Sequence, residues 1–254
     1  MILEHRTILI TGGASGIGLA LAERFARTGN QVIVCGRRED ALARARARVP
    51  GLQTLRADVA RADERVALLE RVTSDYPALD VLVNNAAVQK HPPPLVRAQD
   101  WSAHEHEIAT NLAAPMHLAM LFLPHLLGRP EAAILNVSSG LAFTPIARIA
   151  TYCATKAALH SFTQSLRAQL ADTQVAVVEI IPPAVNTELA GGGLHTHAEP
   201  LDAYADDVMR RLAAGELEFG YKSSEERRNA SRAELDRRFA AANGLVERKA
   251  KGRY

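Results

Sequence analysis

Residues 7–18 read TILITGGASGIG, an apolar run that passes directly into a turn rich in glycine. A helical pattern follows over Gly16–Thr28, so the glycines occupy a turn between a strand and a helix. This order is typical of a turn that binds the pyrophosphate of a dinucleotide. Gly12 lets the chain turn tightly, Gly16 lets backbone amides approach a phosphate, and Gly18 lets the helix pack closely. The alternative is a tight turn whose glycines serve geometry alone.

The rest of the chain repeats this alternation of short apolar runs with longer stretches of helical period. Strands are predicted at Thr7–Thr11, Gln31–Cys35, Gln53–Ala57, Val81–Asn84, Ala132–Val137 and Val175–Ile181, and more weakly at Leu217–Tyr221. Helices are predicted at Gly16–Thr28, Glu39–Arg48, Asp63–Ser74, Asp100–Leu127, Tyr152–Ala171 and Leu201–Ala214. The predicted fold class is therefore α/β: a single-domain, Rossmann-type, doubly wound parallel sheet with helices on both faces.

The chain has 254 residues, which one sheet of this kind fills, so a single domain over residues 1–254 is expected. Two segments depart from the alternation. Residues 184–200 contain three consecutive glycines and are predicted to form a mobile flap. Residues 222–254 carry ten Lys and Arg against five Asp and Glu, with an amphipathic helix predicted at Ser231–Ala242 and a basic tail after it. A solvated terminus and a partner site are both open for this tail.

The composition argues against several classes of function. Thirty Lys and Arg against 28 Asp and Glu leave a net charge of +2, so no nucleic-acid partner is expected. No apolar run approaches the roughly 20 residues of a membrane span. The N-terminus lacks the order of a signal peptide, and the chain has only Cys35 and Cys153, so a cytoplasmic location is expected. His195 and His197 lack a third ligand at suitable spacing, and no metal site is predicted.

Residues 35–38, at the end of the second predicted strand, read Cys-Gly-Arg-Arg. A NAD site offers a carboxylate here to the ribose 2′-hydroxyl, and this segment has none. The guanidinium groups of Arg37 and Arg38 can instead form charge-assisted bonds to a 2′-phosphate, which favours NADP over NAD. The alternative is that both arginines only begin a solvated helix. Asp58, after the third strand, could bond to the adenine amino group or cap the next helix.

Tyr152 and Lys156 are four residues apart at the start of a predicted helix, so their side chains share one face. A cation beside a phenol stabilises the phenolate and is expected to lower its pKa from about 10 toward the working range. Tyr152 is therefore a candidate proton donor to a carbonyl group. This spacing is common by chance, but the fifth strand ends nearby at Ser138 and Ser139, which places hydroxyls at the ligand-binding edge of a parallel sheet.

The order and spacing of these segments resemble the short-chain dehydrogenase/reductase family, in its compact single-domain branch. The resemblance covers residues 7 to about 190 and rests on TGGASGIG at 11–18, Asp58-Val59, NNAA at 84–87, Asn111, SSG at 138–140, YCATK at 152–156 and IPPAVNT at 181–187. Ala87 and Pro183 stand where the family usually has glycine. The charged helix after Glu218 and the Pro-Pro pair resemble the DltE-like branch, which implies no particular substrate.

The resemblance implies four catalytic residues. Ser139 lies thirteen residues before Tyr152 and would hold the substrate carbonyl oxygen, which Tyr152 would protonate. Lys156 would lower the pKa of the tyrosine and bond the nicotinamide ribose, while Asn111 would anchor a water that relays protons toward Lys156. The residues expected to bind the cofactor are Gly12, Ser15, Gly16, Ile17, Gly18, Arg37, Arg38, Asp58, Val59, Asn84, Ala86, Tyr152, Lys156, Val185 and Thr187.

The predicted function is NADPH-dependent reduction of a ketone or aldehyde carbonyl, reversible as alcohol oxidation. Apolar residues between Ser139 and Tyr152, and the stiff proline loop at residues 91–95, predict a mostly apolar pocket for a small-molecule substrate. The alternative is an NADP-binding redox sensor or scaffold with little turnover. The family forms a four-helix contact from the helices that contain Asn111–Leu127 and Tyr152–Ala171, which implies a homodimer or a homotetramer.

Overall fold

The structure, a computed structural model, describes residues 4–91, 97, 100–187, 189 and 198–245. Within these residues the strands form one sheet in the order β3-β2-β1-β4-β5-β6-β7, and every neighbouring pair is parallel. The strands are β1 Thr7–Thr11, β2 Gln31–Gly36, β3 Gln53–Arg56, β4 Leu79–Asn84, β5 Ala132–Val137, β6 Val175–Ile181 and β7 Glu218–Gly220. The predicted fold class is confirmed, including the weak seventh strand.

Helices cover both faces of the sheet in the described part of the chain. They are α1 Gly16–Arg27, α2 Glu39–Arg48, α3 Ala62–Asp75, α4 Trp101–Ile108, α5 Ala114–Leu127, α6 Ala150–Gln169, α7 Leu201–Ala213, α8 Ser223–Asn229 and α9 Arg232–Ala242. Helix α8 was not predicted, because seven residues with five charged or amide side chains show no apolar period. The other predicted helices begin and end within two residues of the observed bounds, except over Asp100–Leu127.

The predicted helix Asp100–Leu127 is interrupted by a π turn at Ala109–Ala113, between α4 and α5. Pro115 gives a physical reason for the interruption. It has no N–H to donate to the carbonyl of Asn111, four residues earlier, so an α-helical bond cannot form there. Such single π turns occur often at functional sites, and this one contains Asn111.

Successive side chains of the strands enter two separate hydrophobic cores. Ile8 and Ile10 of β1 pack in the core that includes α1 and α7, whereas Leu9 packs in the core that includes α3 and α5. The chain runs outward from β1 to β3 and then crosses to β4 on the other side of β1. Because the connections after β1 and β4 therefore diverge, a crevice opens at the carboxyl ends of these strands.

The C-terminal helices return to the turn that follows β5. Ser224 of α8 is fully buried, and its hydroxyl donates to the carbonyl of Ile181 at the end of β6. Beyond α9, the Asn243 carboxamide donates to the Pro145 carbonyl at 3.1 Å and accepts from the Ala147 N–H at 2.7 Å. The segment between Ser139 and Tyr152 thus lies against α8 at its first residue, Gly140, and is held in its middle by Asn243.

Several predicted features lie outside the described residues. These are residues 92–95 of the proline loop at 91–95, the flap residues 188 and 190–197 with both of the histidines considered as a metal pair, and the tail from 246 to 254. No helix in the described ranges combines the length and apolar character needed to cross a bilayer.

Candidate active site

A cavity of about 510 Å³ lies in the crevice at the carboxyl ends of the strands. It extends from the glycine turn after β1, past the ends of β2 and β3, to the start of α6. The predicted site residues that line it are Gly12, Ser15, Gly16, Ile17, Arg37, Arg38, Asp58, Val59, Ala86, Tyr152, Lys156 and Thr187. Residues far apart in the sequence therefore line one cavity. One end of it is the glycine turn, and the other end carries the hydroxyl of Tyr152 and the ammonium group of Lys156.

The glycine turn requires residues without a side chain. Gly12 has φ +65°, and a Cβ there would lie 2.8 Å from Ala86 Cα. Gly16 has φ +54°, and a Cβ on Gly18 would collide with Asn85 Nδ2. Because these positions favour glycine by backbone conformation or by close approach, the turn stays open to a ligand at the N-terminus of α1.

Two guanidinium groups lie where β2 ends, at the side of the same cavity. Arg38 Nη2 donates to the Ser15 hydroxyl at 3.3 Å, so this arginine lies against the glycine turn. Arg37 Nη1 is 3.0 Å from His106 Nε2 and 4.0 Å from Asp58 Oδ2, and its side chain is 49% exposed. Together they place positive charge beside the turn that would hold phosphates.

Asp58 performs a local structural role. Its Oδ1 accepts from the Ala60 N–H at 3.0 Å, which closes the turn before α3, and its own N–H donates to Glu64 at 2.7 Å. The side chain also lines the cavity. The hydrogen bonds therefore support the interpretation that Asp58 caps the turn before α3. Its side chain can still contact a bound adenine, because it also lines the cavity.

At the other end of the cavity, Ser139, Tyr152 and Lys156 converge. Ser139 follows β5 in an extended conformation, and its hydroxyl hydrogen-bonds with that of Tyr152 and accepts from the Leu141 N–H at 3.1 Å. Lys156 Nζ donates to the Val137 carbonyl at 2.8 Å and lies 5.8 Å from the centre of the Tyr152 ring. The spacing of four residues along α6 places phenol and ammonium on one face of the helix, as predicted.

Burial controls the ionisation of both groups. Removal from water raises the pKa of the Tyr152 hydroxyl, and the hydrogen bond with Ser139 opposes this only partly. Removal from water also lowers the pKa of Lys156 to about 8, and the carboxylate of Glu179 opposes this shift. The sequence led us to expect a lowered pKa for Tyr152. In this arrangement the direction is the opposite, because the phenol is only 5% exposed and the ammonium is bonded to a carbonyl.

The side chain of Asn111 points at the segment after β4. Its Oδ1 accepts from the Val88 N–H and its Nδ2 donates to the Val88 carbonyl, both at 2.8 Å. The carboxamide thus clamps the chain at the edge of the cavity, and it also approaches Thr155 Oγ1 at 3.4 Å. The side chain of Asn111 is therefore engaged with Val88. The group of Asn111 that could anchor the expected water near Lys156 is its backbone carbonyl, which the π turn removes from ordinary helical bonding.

The family model of the short chain dehydrogenases matches residues 6–196. This match spans the glycine turn, the Ser139–Tyr152–Lys156 group and the strands that position them. The chain belongs to the short-chain dehydrogenase family. It is accordingly an NAD(P)-dependent oxidoreductase, as the sequence predicted.

This short-chain dehydrogenase is similar to other proteins over most of its length. It is 44% identical over 248 residues to the uncharacterized oxidoreductase DltE of Bacillus subtilis (strain 168), covering 96% of this chain and 98% of that one. A short-chain dehydrogenase from Sphingobium yanoikuyae, solved in complex with NADPH, has a TM-score of 0.78 at 28% identity, with 95% of each chain covered. A 3-ketoacyl-(acyl-carrier-protein) reductase from Brucella melitensis, solved with NADH, has a TM-score of 0.76 at 26% identity, covering 83% of this chain and 91% of that one. The resemblance to the DltE-like branch is confirmed.

Some predicted site residues of this dehydrogenase lie beside the cavity instead of lining it. The Asn84 carboxamide is 4% exposed and donates to Asn136 Oδ1 at 2.9 Å, so it joins two strands beneath the site. Gly18 serves close packing, and Val185 is buried and forms a bridge with Glu199. Ser139 reaches the site through its bond with Tyr152.

Other residues that line the cavity were not among the predicted site residues. They include Asn85, Lys90, Thr110, Ser138 and Pro182. Three of them, Asn85, Ser138 and Pro182, directly follow a strand, and Thr110 lies in the predicted helix with Asn111, so their position at the carboxyl edge was the available signal. Lys90 lies further along the segment that follows β4. Asn85 Nδ2 donates to the Thr11 carbonyl at 2.9 Å, which ties the end of β4 to the glycine turn.

In the part of the dehydrogenase that the structure describes, one group of side chains could offer three ligands to a metal ion. Atoms of His160, Glu179 and Glu218 lie within 4.8 Å of one another. Arg167 Nη1 is 2.8 Å from a Glu218 oxygen, however, and Arg228 Nη1 is 3.8 Å from the other. His160 Nδ1 is 2.7 Å from Glu179 Oε2, and this hydrogen bond raises the pKa of His160. Positive charge is thus already supplied by the protein, which favours ion pairing over a metal site.

Proposed function

We propose that this dehydrogenase reduces the carbonyl group of a ketone or aldehyde with NADPH, in a reaction that also runs in reverse as alcohol oxidation. The observation that carries the proposal is the meeting of Ser139, Tyr152 and Lys156 at one end of the cavity whose other end is the glycine turn. A proton donor and a dinucleotide site in one cavity are the two requirements of this chemistry. The substrate is accordingly a small molecule.

The cavity fits a dinucleotide. Gly12 and Gly16 leave room at the N-terminus of α1 for a pyrophosphate, where a Cβ on Gly12 would collide with Ala86. Tyr152 and Lys156 border the opposite end, where the nicotinamide ribose would lie. NADPH supplies the hydride when bound.

The chain itself supplies the proton. Because its pKa is raised, the Tyr152 hydroxyl is protonated at neutral pH and can donate to the carbonyl oxygen. The Ser139 hydroxyl, bonded to that of Tyr152, orients the same oxygen. With a pKa of about 8, Lys156 is charged at neutral pH and stabilises the phenolate that remains. The Asn111 carbonyl would anchor the water that returns a proton to Lys156.

Arg37 and Arg38 support the preference for NADP. Both line the cavity at the end of β2, and Arg38 contacts Ser15 of the glycine turn. A 2′-phosphate between them would receive charge-assisted bonds that a ribose hydroxyl cannot receive. The carboxylate of Asp58 lies 4.0 Å from Arg37 Nη1, and its other oxygen is engaged in the turn before α3.

The same assignment extends to the whole chain, which we take as one NADP-binding domain over residues 1–254. The thiols of Cys35 and Cys153 are free and buried, which suits a reducing cytoplasm. The outer face of α5 is apolar, with Met120 60% exposed, and supports assembly as a homodimer or homotetramer.

The test is NADPH oxidation by the purified protein with ketones, aldehydes, quinones and β-ketoacyl thioesters, and with NADH in parallel. Tyr152→Phe removes one hydroxyl and is expected to lower kcat by about 10²- to 10⁴-fold, because the proton donor is lost. NADPH binding, measured by fluorescence titration, should be retained. Equal turnover in the Tyr152→Phe variant would refute the assigned proton donor, and a lower KM for NADH than for NADPH would refute the role of Arg37 and Arg38.

A further inference from the structure

Helix α8 places a cation beside the turn that carries Ser139. Gly140, the next residue, faces α8: a Cβ built on it would lie 3.0 Å from Ser224 Cβ and 3.2 Å from Arg227 Nη1. The hydroxyl of Ser224 anchors this helix to the end of β6. The Arg227 guanidinium therefore lies against the backbone at the carboxyl ends of β5 and β6, where open α/β sheets bind ligands.

Arg227 forms no ion pair with a carboxylate among the described residues. Its Nε is buried there without a hydrogen-bond partner, and no carboxylate of the described chain pairs with its guanidinium. Burial and the neighbouring Arg238 lower the pKa of Arg227, and the carboxylate of Glu226 opposes this shift only in part. A partly buried and unpaired cation is energetically unfavourable unless a ligand neutralises it.

The carboxylates closest along the chain are occupied by other groups. Glu225 accepts from Arg228, from Asn229 and from the Gly220 N–H. Glu226 accepts from both terminal nitrogens of Arg238, each at 3.2 Å. Three arginines thus share this short region, and Arg227 is the one among them that forms no ion pair with a described carboxylate.

We propose that Arg227 binds an anionic group of the substrate, a carboxylate or a phosphate, while Ser139 and Tyr152 hold its carbonyl oxygen. The planar fork of a guanidinium matches the paired oxygens of both anions. The inference rests on the proposed function and narrows its substrate class to oxo acids and oxo phosphates. It also adds a polar contact to a pocket that the sequence predicted to be mostly apolar.

The experiment compares matched substrates and matched variants. The probes are straight-chain oxo acids with increasing separation between ketone and carboxylate, their methyl esters, and the corresponding oxo phosphonates. We expect a higher kcat/KM for at least one oxo acid or phosphonate than for its ester. Arg227→Gln should lower kcat/KM for that anion by about 10- to 100-fold and leave the ester unchanged, because one charge-assisted contact is lost. Arg232→Gln, which changes an 88% exposed arginine on α9, should alter neither.

Binding calorimetry with the same anion separates the two proposals. Loss of turnover in Tyr152→Phe with anion binding retained, and loss of binding in Arg227→Gln, supports both. Absence of turnover on every probe, together with anion binding that depends on Arg227, refutes the reductase and retains the anion site. The assignment of Arg227 is overturned if Arg227→Gln lowers kcat/KM for acid and ester equally, or if no oxo acid or phosphonate binds better than its ester. Thermal unfolding of each variant checks that the fold is intact.

Discussion

Lys156 is 2% exposed, and this burial brings the pKa of its ammonium group down to about 8. Below that pH the group is charged and can stabilise the phenolate of Tyr152, whereas above it the charge is lost. We therefore expect kcat/KM for reduction, which reports ionisations of the free enzyme, to fall as pH rises above about 8. The measurement is initial NADPH oxidation across pH with a substrate from the panel.

Lys156→Arg is the control for this prediction. A guanidinium remains charged over the accessible range, so the decline near pH 8 should disappear even if its different shape lowers kcat/KM overall. The same decline in Lys156→Arg would show that another group titrates there.

At the level of secondary-structure elements, the turn between β1 and α1 depends on two separate properties of Gly12. Its φ of +65° costs an alanine about 1–2 kcal/mol of stability, and contact with Ala86 adds a cost of about 1–3 kcal/mol. We expect Gly12→Ala to lower the free energy of unfolding by the sum of the backbone strain and the contact with Ala86. The same substitution should weaken NADPH binding. Urea unfolding and fluorescence titration measure the two effects.

Gly51 offers a matched comparison, because its φ is +80° and a Cβ there meets nothing within 4 Å. Gly51→Ala should cost the backbone strain alone and leave NADPH binding unchanged. If both substitutions destabilise the protein equally, the close approach of Gly12 to Ala86 has no energetic weight.

Helix α6 and strand β6 are joined by the pair of His160 with the fully buried Glu179, at 2.7 Å. The hydrogen bond to Glu179 raises the pKa of His160. A raised folded-state pKa contributes stability that is complete below the unfolded value of about 6.5 and is lost as pH rises through the folded value. We expect this contribution to the free energy of unfolding to fall over the pH range that begins at about 6.5 and extends through the raised pKa of His160.

His160→Gln keeps a polar side chain but does not titrate. Urea unfolding of the unsubstituted protein and of His160→Gln is measured over this pH range. The substitution should lower the free energy of unfolding most at the acid end, and the two proteins should become equally stable at the basic end. If the free energies of unfolding of the two proteins differ by the same amount at every pH, the pKa of His160 does not change on folding.

For the molecule as a whole, the outer face of α5 presents Met120 and Leu127, seven residues apart and 60% and 40% exposed. Apolar side chains at this spacing lie on one side of a helix and are suited to pack against another helix. We expect Met120→Glu to reduce the assembly to a smaller species, measured by sedimentation equilibrium. Val66→Glu, at an exposed position of α3, should leave the mass unchanged, and an unchanged mass in both would exclude α5 from the interface.

Sequence patterns that extend over a few residues predicted most of the fold and much of the candidate active site. The glycine turn, the strands and the spacing of Tyr152 and Lys156 follow from interactions within a few residues, such as a positive φ or one turn of helix. The fold class and many of the residues that line the cavity could therefore be predicted. The lengths of the predicted helices followed too, except where Pro115 interrupts one, whereas the short helix α8 was not predicted.

Long-range packing determined the rest. The side chain of Asn84 turns into the sheet because Asn136 lies on the neighbouring strand, and the carboxamide of Asn111 is taken up by the backbone of Val88. The pKa of Tyr152 rises because packing removes water from the phenol, which spacing along a helix does not reveal. Arg227 meets Gly140 because β7 carries the chain back to the end of β5. Direction of a side chain, exposure to water and contact between distant segments are properties of the packed molecule, and no local pattern encodes them.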